Sequence, residues 1–257
     1  MNIVVYIKQT FDTEAKIVLD GSGKIDANGV NLIINPYDEY AIEEGIRLKE
    51  KLGGEVTVIT MGGATAQAAI RTALAMGIDK AVLVSDPALE NSDEWTNAEV
   101  LAKAISQIPY DIILAGRIAI DDGASQIAVR LAEILDIPSI TSVLKLDITG
   151  TQAIVTREID GGTEVIEASL PVVITAQKGL NDPRYPSVAG IMKAKKKPLT
   201  TMTLVDLGLS AADIASKMNV DKFSLPTARQ GGRKIPGEAP QAAQELARLL
   251  HEEAKVF

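Results

Sequence analysis

The stretch IILAGRIAIDDGASQIAVRLAEIL, residues 112–135, changes its hydrophobic period once, across a single loop. Ile112 to Ala115 is a short apolar run without polar alternation, the pattern of a strand covered on both faces of a parallel sheet. Gly116 to Ile127 is a loop, and a helical pattern runs from Ser125 to Leu135, with the helix expected to begin around Gly123 to Ser125. Similar β-rich runs occur at Asn2 to Gln9, Glu55 to Met61, Ala81 to Val84 and Val172 to Ala176. Helical patterns separate them. In PYDEYAIEEGIRLKEKLGG, residues 36–54, Ala41, Gly45, Leu48 and Leu52 share one face, Pro36 suits the first turn and Gly53-Gly54 ends the element. Ala64 to Met76 and Thr96 to Gln107 read as helices too. Alternating strands and helices imply right-handed crossovers and an α/β fold built on an open, mostly parallel, doubly wound sheet.

Two regions depart from this rhythm. Ile17 to Val30 carries GSGK and ANG turn signals, and Gln152 to Leu170 reads as two strands around Asp160-Gly161-Gly162, so each is expected as a hairpin beside the main sheet. After Pro198 the chain becomes rich in Thr, Gly, Pro and Ser before a last helix in which Ala242, Leu246, Leu249 and Leu250 share a face. The expected division is a domain over 1–207 and an arm over 208–257, which either folds back on its own domain or crosses onto a partner.

Composition removes several classes of chemistry. The 257 residues, 46% of them hydrophobic, suffice for a sizeable core. There is no cysteine, which excludes disulfides, thiolate catalysis and cysteine-ligated metals and suits a reducing cytoplasm. His251 is the one histidine, so a histidine metal site or a Ser-His-Asp triad has almost no material, and no catalytic or metal-ligating residues are assigned. A net charge of −8 argues against general nucleic-acid binding. No apolar run approaches the ~20 residues that span a bilayer, and the start MNIVVYIKQ has too short an apolar core for a signal peptide. A soluble chain without membrane insertion is expected.

In an open α/β sheet, ligands bind beyond the C-terminal ends of the strands. Four loops lie there: Tyr6 to Thr10, Asn35 to Asp38, Thr60 to Ala64, and Gly116 to Ile127. In the last, free N–H groups at the start of the helix favour an anion such as phosphate, Ser125 adds a hydroxyl and Arg117 a charge. Asp121-Asp122 oppose that unless their side chains cap the helix or turn toward a ribose. Neither G-x-G-x-x-G after the first strand nor GxxxxGK[ST] occurs. Asn35-Pro36 is read equally as a helix cap or as a ligand contact. Glu43-Glu44, without a partner acid, base or metal ligand, is read as a solvated helix face.

Several motifs together resemble one family. They are MNIVVYIKQTFDTEAKI at the start, NPYDEYAIEEGIRLKE, RTALAMG, AIDDG, REIDGG and LPVVITAQKGLNDPRYPSVAGIMKAKKKP. Their order and spacing resemble the beta subunit of electron-transfer flavoproteins from Met1 to about Pro198. The resemblance implies a Rossmann-like, adenine nucleotide alpha hydrolase-like fold. It implies a heterodimer with an alpha subunit that holds most of a redox-active FAD, and AMP bound structurally in the beta subunit. Electrons would come from flavin-dependent dehydrogenases, such as the acyl-CoA dehydrogenases of fatty acid beta-oxidation. They would pass to electron-transfer flavoprotein:quinone oxidoreductase and the quinone pool. Two alternatives stay open: a bifurcating form with a second FAD in the AMP pocket, oxidising NADH, and a stand-alone ATP-binding sensor.

Carried over by position, the family's nucleotide contacts fall on Tyr6, on Asn35, Pro36, Tyr37 and Asp38, on Met61, and on the loop Gly116, Arg117, Ile118, Ala119, Ile120, Asp121, Asp122, Gly123, Ala124, Ser125, Gln126 and Ile127. Asp121 is expected toward the adenosine half, and the amides from Gly123 to Ile127 on the phosphate. This chain has Ala124-Ser125 where relatives often carry Asn or Thr, and Thr13 where relatives place a tyrosine near the flavin. LNDPRYPSVAGIMKAKKKP, residues 180–198, matches the family's recognition loop, with Val188 where many relatives have leucine. Its expected partner contacts are Arg184, Tyr185, Val188, Ile191, Met192 and Lys193.

Overall fold

The computed structural model describes residues 1–229 and 231–257, and the chain divides into two compact units. The first comprises Met1–Ile17 and Asp26–Asp221. Its strands are β1 (Asn2–Tyr6), β2 (Gln9–Phe11), β3 (Leu32–Ile34), β4 (Glu55–Met61), β5 (Lys80–Val84), β6 (Ile112–Gly116), β7 (Ser139–Thr149), β8 (Gln152–Ile159), β9 (Gly162–Ser169), β10 (Val172–Ala176) and β11 (Leu199–Met202). Its helices are α1 (Pro36–Leu52), α2 (Ala66–Met76), α3 (Glu94–Ile105), α4 (Ile127–Ile134) and α5 (Val188–Ala194). The main sheet runs β11-β5-β4-β1-β6-β10-β7-β8-β9, parallel from β11 to β7 and antiparallel thereafter.

The continuous apolar runs are explained by burial on both faces. Ile3 and Val5 of β1, Ile112 and Leu114 of β6 and Ile174 of β10 join α1 and α2 in one core layer. Val4, Ile113 and Val173, the residues between them, join α3 and α4 in the other. The period of two thus persists although neither face is polar. From β1 the chain moves outward to β4 and β5, then returns to place β6 on the other side of β1. The strand order therefore reverses between β1 and β6, whose registers pair Ile3 with Ile112 and Val5 with Leu114. This reversal opens a crevice beyond Tyr6 and Gly116.

Five differences from the sequence reading have physical causes. The Gln152–Leu170 hairpin is not beside the sheet but extends it as β8 and β9, because the 11-residue β7 gives β8 an antiparallel edge. Ile17–Val30 contains a single bridge, Leu19 to Ile25, while the small two-stranded antiparallel sheet pairs β2 with β3, on either side of that stretch. Leu52 is exposed, since it falls in the last turn of α1, beyond the sheet-facing Leu48. Helix α4 begins at Ile127, after Ser125 takes a left-handed conformation. Residues 208–221, expected in the arm, belong to the first unit, where Ile214 is buried with Leu204 and Leu207.

The second unit comprises Val18–Ile25 and Lys222–Phe257. It contains α6 (Ala239–Glu252), on which Leu249 is buried, Ala242 and Leu250 half-buried and Leu246 exposed. On the polar side Arg248 pairs with Glu245 at 2.7 Å and with Glu252. No helix among the described residues is long and apolar enough to cross a membrane.

Candidate functional site

Asn35 and Asp38 shape the crevice. Asn35 is buried and stands at the N-terminus of α1, but its side chain caps nothing. Its amide nitrogen donates to Asp38 Oδ1 at 2.9 Å and to the Ile118 carbonyl at 2.9 Å, and its oxygen accepts from the Ile120 N–H at 3.2 Å. Asn35 therefore fastens the loop after β6 to the start of α1. Asp38 is also buried; it accepts from the Lys8 N–H at 2.7 Å, from Asn35 and from the Gly116 N–H at 3.0 Å. Burial pushes its pKa up to about 7, against the pull of those three donors. Gly116 is required by this packing: a Cβ there would lie 2.2 Å from Asp38 Oδ1 and 2.8 Å from the Asp38 nitrogen.

Beyond Gly116 the loop turns twice. The Gly123 N–H donates to the Ala119 carbonyl at 3.0 Å, and Gly123 and Ser125 both have left-handed φ values, 66° and 54°. Asp122 Oδ1 accepts from the Ala124 N–H at 2.8 Å, and Asp121 Oδ1 from the Asp122 N–H at 2.9 Å, so both carboxylates bind the loop's own backbone and, contrary to the expected cap, neither caps α4, which starts only at Ile127. The N–H groups of Ser125, Gln126, Ile127 and Ala128 find no hydrogen-bond partner among the described residues. They form the donor-rich end of α4, where an anion is stabilised by both N–H groups and helix dipole.

The structure brings most of the expected contacts around one cavity: Tyr6, Asn35, Asp38, Gly116, Arg117, Ile118, Ala119, Asp122, Ala124, Ser125, Gln126 and Ile127 line it. Pro36, Tyr37, Ile120, Asp121 and Gly123 flank that lining. Met61 lies elsewhere, at a second cavity beyond β4 and β5 with Gly62, Gly63, Ser85, Asp86 and Glu90. Burial, then the negative Asp38, Asp122 and Asp121, raise the Tyr6 phenol above its ordinary range. The residue the sequence reading missed is Lys8. Its Nζ lies 2.8 Å from Asp121 and 2.6 Å from Asp122, so it bridges both and offsets one of the two charges that oppose a phosphate. Burial lowers the Lys8 pKa, but the hydrogen bonds and charges of those carboxylates outweigh it and raise it overall. Its signal was its place in the loop after the first strand; the partners are 113 and 114 positions away.

Segment 180–198 is built differently. Glu43 and Glu44 of α1 are buried, not solvated as expected, because this segment covers them. Arg184 pairs with Glu43 at 2.8 Å and with Glu50 at 2.7 Å, Arg47 joins Glu43 at 2.7 Å, and Asn181 donates to Glu44 at 2.9 Å and to the Tyr40 carbonyl at 3.0 Å. Ser187 then starts α5 by accepting from the Gly190 N–H at 3.0 Å. Gly190 lets α5 approach α2, since a Cβ would lie 2.3 Å from the Ala75 carbonyl oxygen. Arg71 donates to the Ala194 carbonyl at 2.8 Å and Lys197 to the Leu74 carbonyl at 2.9 Å, so cations of both helices' neighbourhood close their C-termini. On the outer side Tyr185 is 93% exposed, Val188 78% and Met192 69%, with Ile191 and Lys193 exposed beside them. Of the expected partner contacts, only Arg184 turns inward.

The profile of the electron transfer flavoprotein domain matches residues 22–207. The chain belongs to the electron-transfer flavoprotein family, as a beta subunit. It is 50% identical to the electron transfer flavoprotein subunit beta of Bacillus subtilis (strain 168), over the whole of both chains. It is 37% identical to the subunit of the same name from Bos taurus, across 100% of this chain and 99% of that one. It is 40% identical to the caffeyl-CoA reductase-Etf complex subunit CarD of Acetobacterium woodii, across 92% of each. Electron transfer in a flavoprotein, with an alpha subunit as partner, is the function of this family.

Proposed function

We propose that this subunit, in a heterodimer with its alpha subunit, carries electrons from flavin-dependent dehydrogenases such as acyl-CoA dehydrogenases to electron-transfer flavoprotein:quinone oxidoreductase and the quinone pool, in the cytoplasm. The observation that carries this is the row Tyr185, Val188, Ile191 and Met192. Tyr185, just before the short α5, and Val188, Ile191 and Met192 on it leave four large side chains in water within eight residues of a well-fastened segment. Such a cluster serves a transient partner, with Val188 as the anchor entering an apolar pocket and the polar surroundings excluding water. FAD, held mainly by the alpha subunit and shared at the interface, supplies the redox chemistry. This chain's residues dock, position and shield.

The same reading assigns AMP, as a structural ligand, to the crevice between β1 and β6. The amides of Ser125 to Ala128 receive the phosphate, Asn35 and Asp38 hold the loop that presents them, and Tyr6 closes the apolar side. Residues 208–257 supply the contact with the alpha subunit, mainly through the second unit.

Two measurements test the reading. Acid release from the purified heterodimer yields one FAD and one AMP per heterodimer; two FAD would favour the bifurcating form, and ATP turnover by the isolated chain the sensor. Val188→Ala slows flavin reduction by the dehydrogenase about tenfold, as loss of a small interface anchor does, and leaves FAD content unchanged. Loss of flavin from that variant would overturn the docking assignment.

A further inference from the structure

Lys8 has no part in the fold's apolar core, yet it makes the closest charge contacts of the crevice. Its backbone N–H holds Asp38, while its ammonium holds Asp121 and Asp122 together. At or beside the cavity stand two cations, Lys8 and Arg117, and three carboxyl groups, those of Asp38, Asp121 and Asp122. Without the Lys8 side chain, three carboxyl groups would face one guanidinium, and the unpartnered amides of α4 would sit in a repulsive field for any phosphate. In a partly screened cleft, one charge at such range changes anion affinity by about tenfold.

We propose that Lys8 sets the charge selectivity of the crevice: by occupying Asp121 and Asp122 it makes the α4 amides accessible to a phosphorylated adenosine in preference to adenosine itself. The inference rests on the nucleotide reading given above. Lys8 acts as a positioning and counter-charge residue, and the phosphate itself sits on backbone amides. Because the contact to Asp38 comes from the Lys8 backbone, it survives replacement of the side chain.

The test uses the FAD-containing heterodimer freed of AMP, with AMP and adenosine as probes in calorimetric titrations. In Lys8→Met, AMP affinity falls about tenfold while adenosine affinity stays within about twofold, and Lys8→Met/Asp122→Asn regains most of the AMP affinity by removing the stranded charge. Unchanged AMP affinity in Lys8→Met would overturn the proposal alone. So would equal losses for AMP and adenosine, which would mean that the loop had collapsed, or a double variant no better than the single one. A wild-type heterodimer that binds neither probe would overturn the nucleotide reading as well.

Discussion

The crevice loop 116–127 and the outer segment 180–198, which carries α5, are both fastened to α1, the first at its N-terminus and the second farther along it. At the N-terminus of α1, Asn35 and Asp38 turn inward and hold a loop whose unpaired N–H groups face a cavity. Farther along α1, Glu43, Glu44 and Glu50 hold a segment whose unpaired side chains are apolar and face water. The first region leaves backbone polarity unsatisfied, which suits a small anion. The second leaves apolar surface uncovered, which suits a protein. One helix thereby fastens two segments with opposite unmet needs.

Substituting Gly116 separates the two regions most sharply. Gly116→Ala forces a Cβ into the Asp38 carboxylate and the α1 backbone, neither of which can move without breaking the Asn35 latch. The expected loss is about 3 kcal/mol, the upper end for overpacked sites, read as a lower urea midpoint with an unchanged slope. Nucleotide content falls with it. Docking defects disproportionate to the folded fraction are not expected, and finding them would mean that the regions are coupled rather than merely adjoining.

Much of this contrast was legible in the sequence. Strand positions followed from runs such as Ile112–Ala115, because burial on both faces leaves an unambiguous apolar signature. The loop after β6 was marked by its glycine and its place before a helix. What escaped notice required long-range pairing: Lys8 meets Asp121 and Asp122 only through the strand order, and Glu43 and Glu44 look solvated until Arg184 and Asn181 arrive from about 140 positions away. Strand β7 was missed for a different reason. Lys145 and Asp147 interrupt its apolar positions, since one of its faces meets solvent.

The two regions also respond to pH with opposite sign. Asp38 has a folded pKa near 7, raised from 3.8 by burial, so the folded chain binds its proton more tightly than the unfolded chain. Stability from this group is therefore greatest below the unfolded pKa and is lost as pH rises toward 7, by a few kcal/mol at most. Burial raises the Glu43 pKa too, but the bonds from Arg184 and Arg47 outweigh it, and its net pKa is lowered. Its contribution is present above the unfolded pKa and is lost as pH falls through the lowered folded one. Urea midpoints followed from pH 4 to 8 test this in the isolated chain: relative to wild type, Asp38→Asn removes a decline between pH 4 and 7. Identical slopes would show that Asp38 is ionised throughout.

Arg184 gives the subtler contrast, between the proposed partner contacts and a residue that mounts them. Its guanidinium spans Glu43 and Glu50 with hydrogen bonds of 2.7–3.1 Å and is only partly exposed, so little of it remains for a second protein. Arg184→Ala leaves buried Glu43 with Arg47 and the backbone N–H of residue 184, and costs about 1–2 kcal/mol, discounted from a fully buried pair for the exposure of the guanidinium and of Glu50. Docking weakens because Tyr185 and Val188 are no longer held in one arrangement. Amide hydrogen exchange distinguishes this from direct contact: faster exchange across 181–187 in the free heterodimer accompanies slower dehydrogenase-driven reduction. Unchanged exchange with the same kinetic loss would make Arg184 a contact residue. Lys in its place restores the charge but not the two-carboxylate span, so Arg184→Lys recovers only part of the rate.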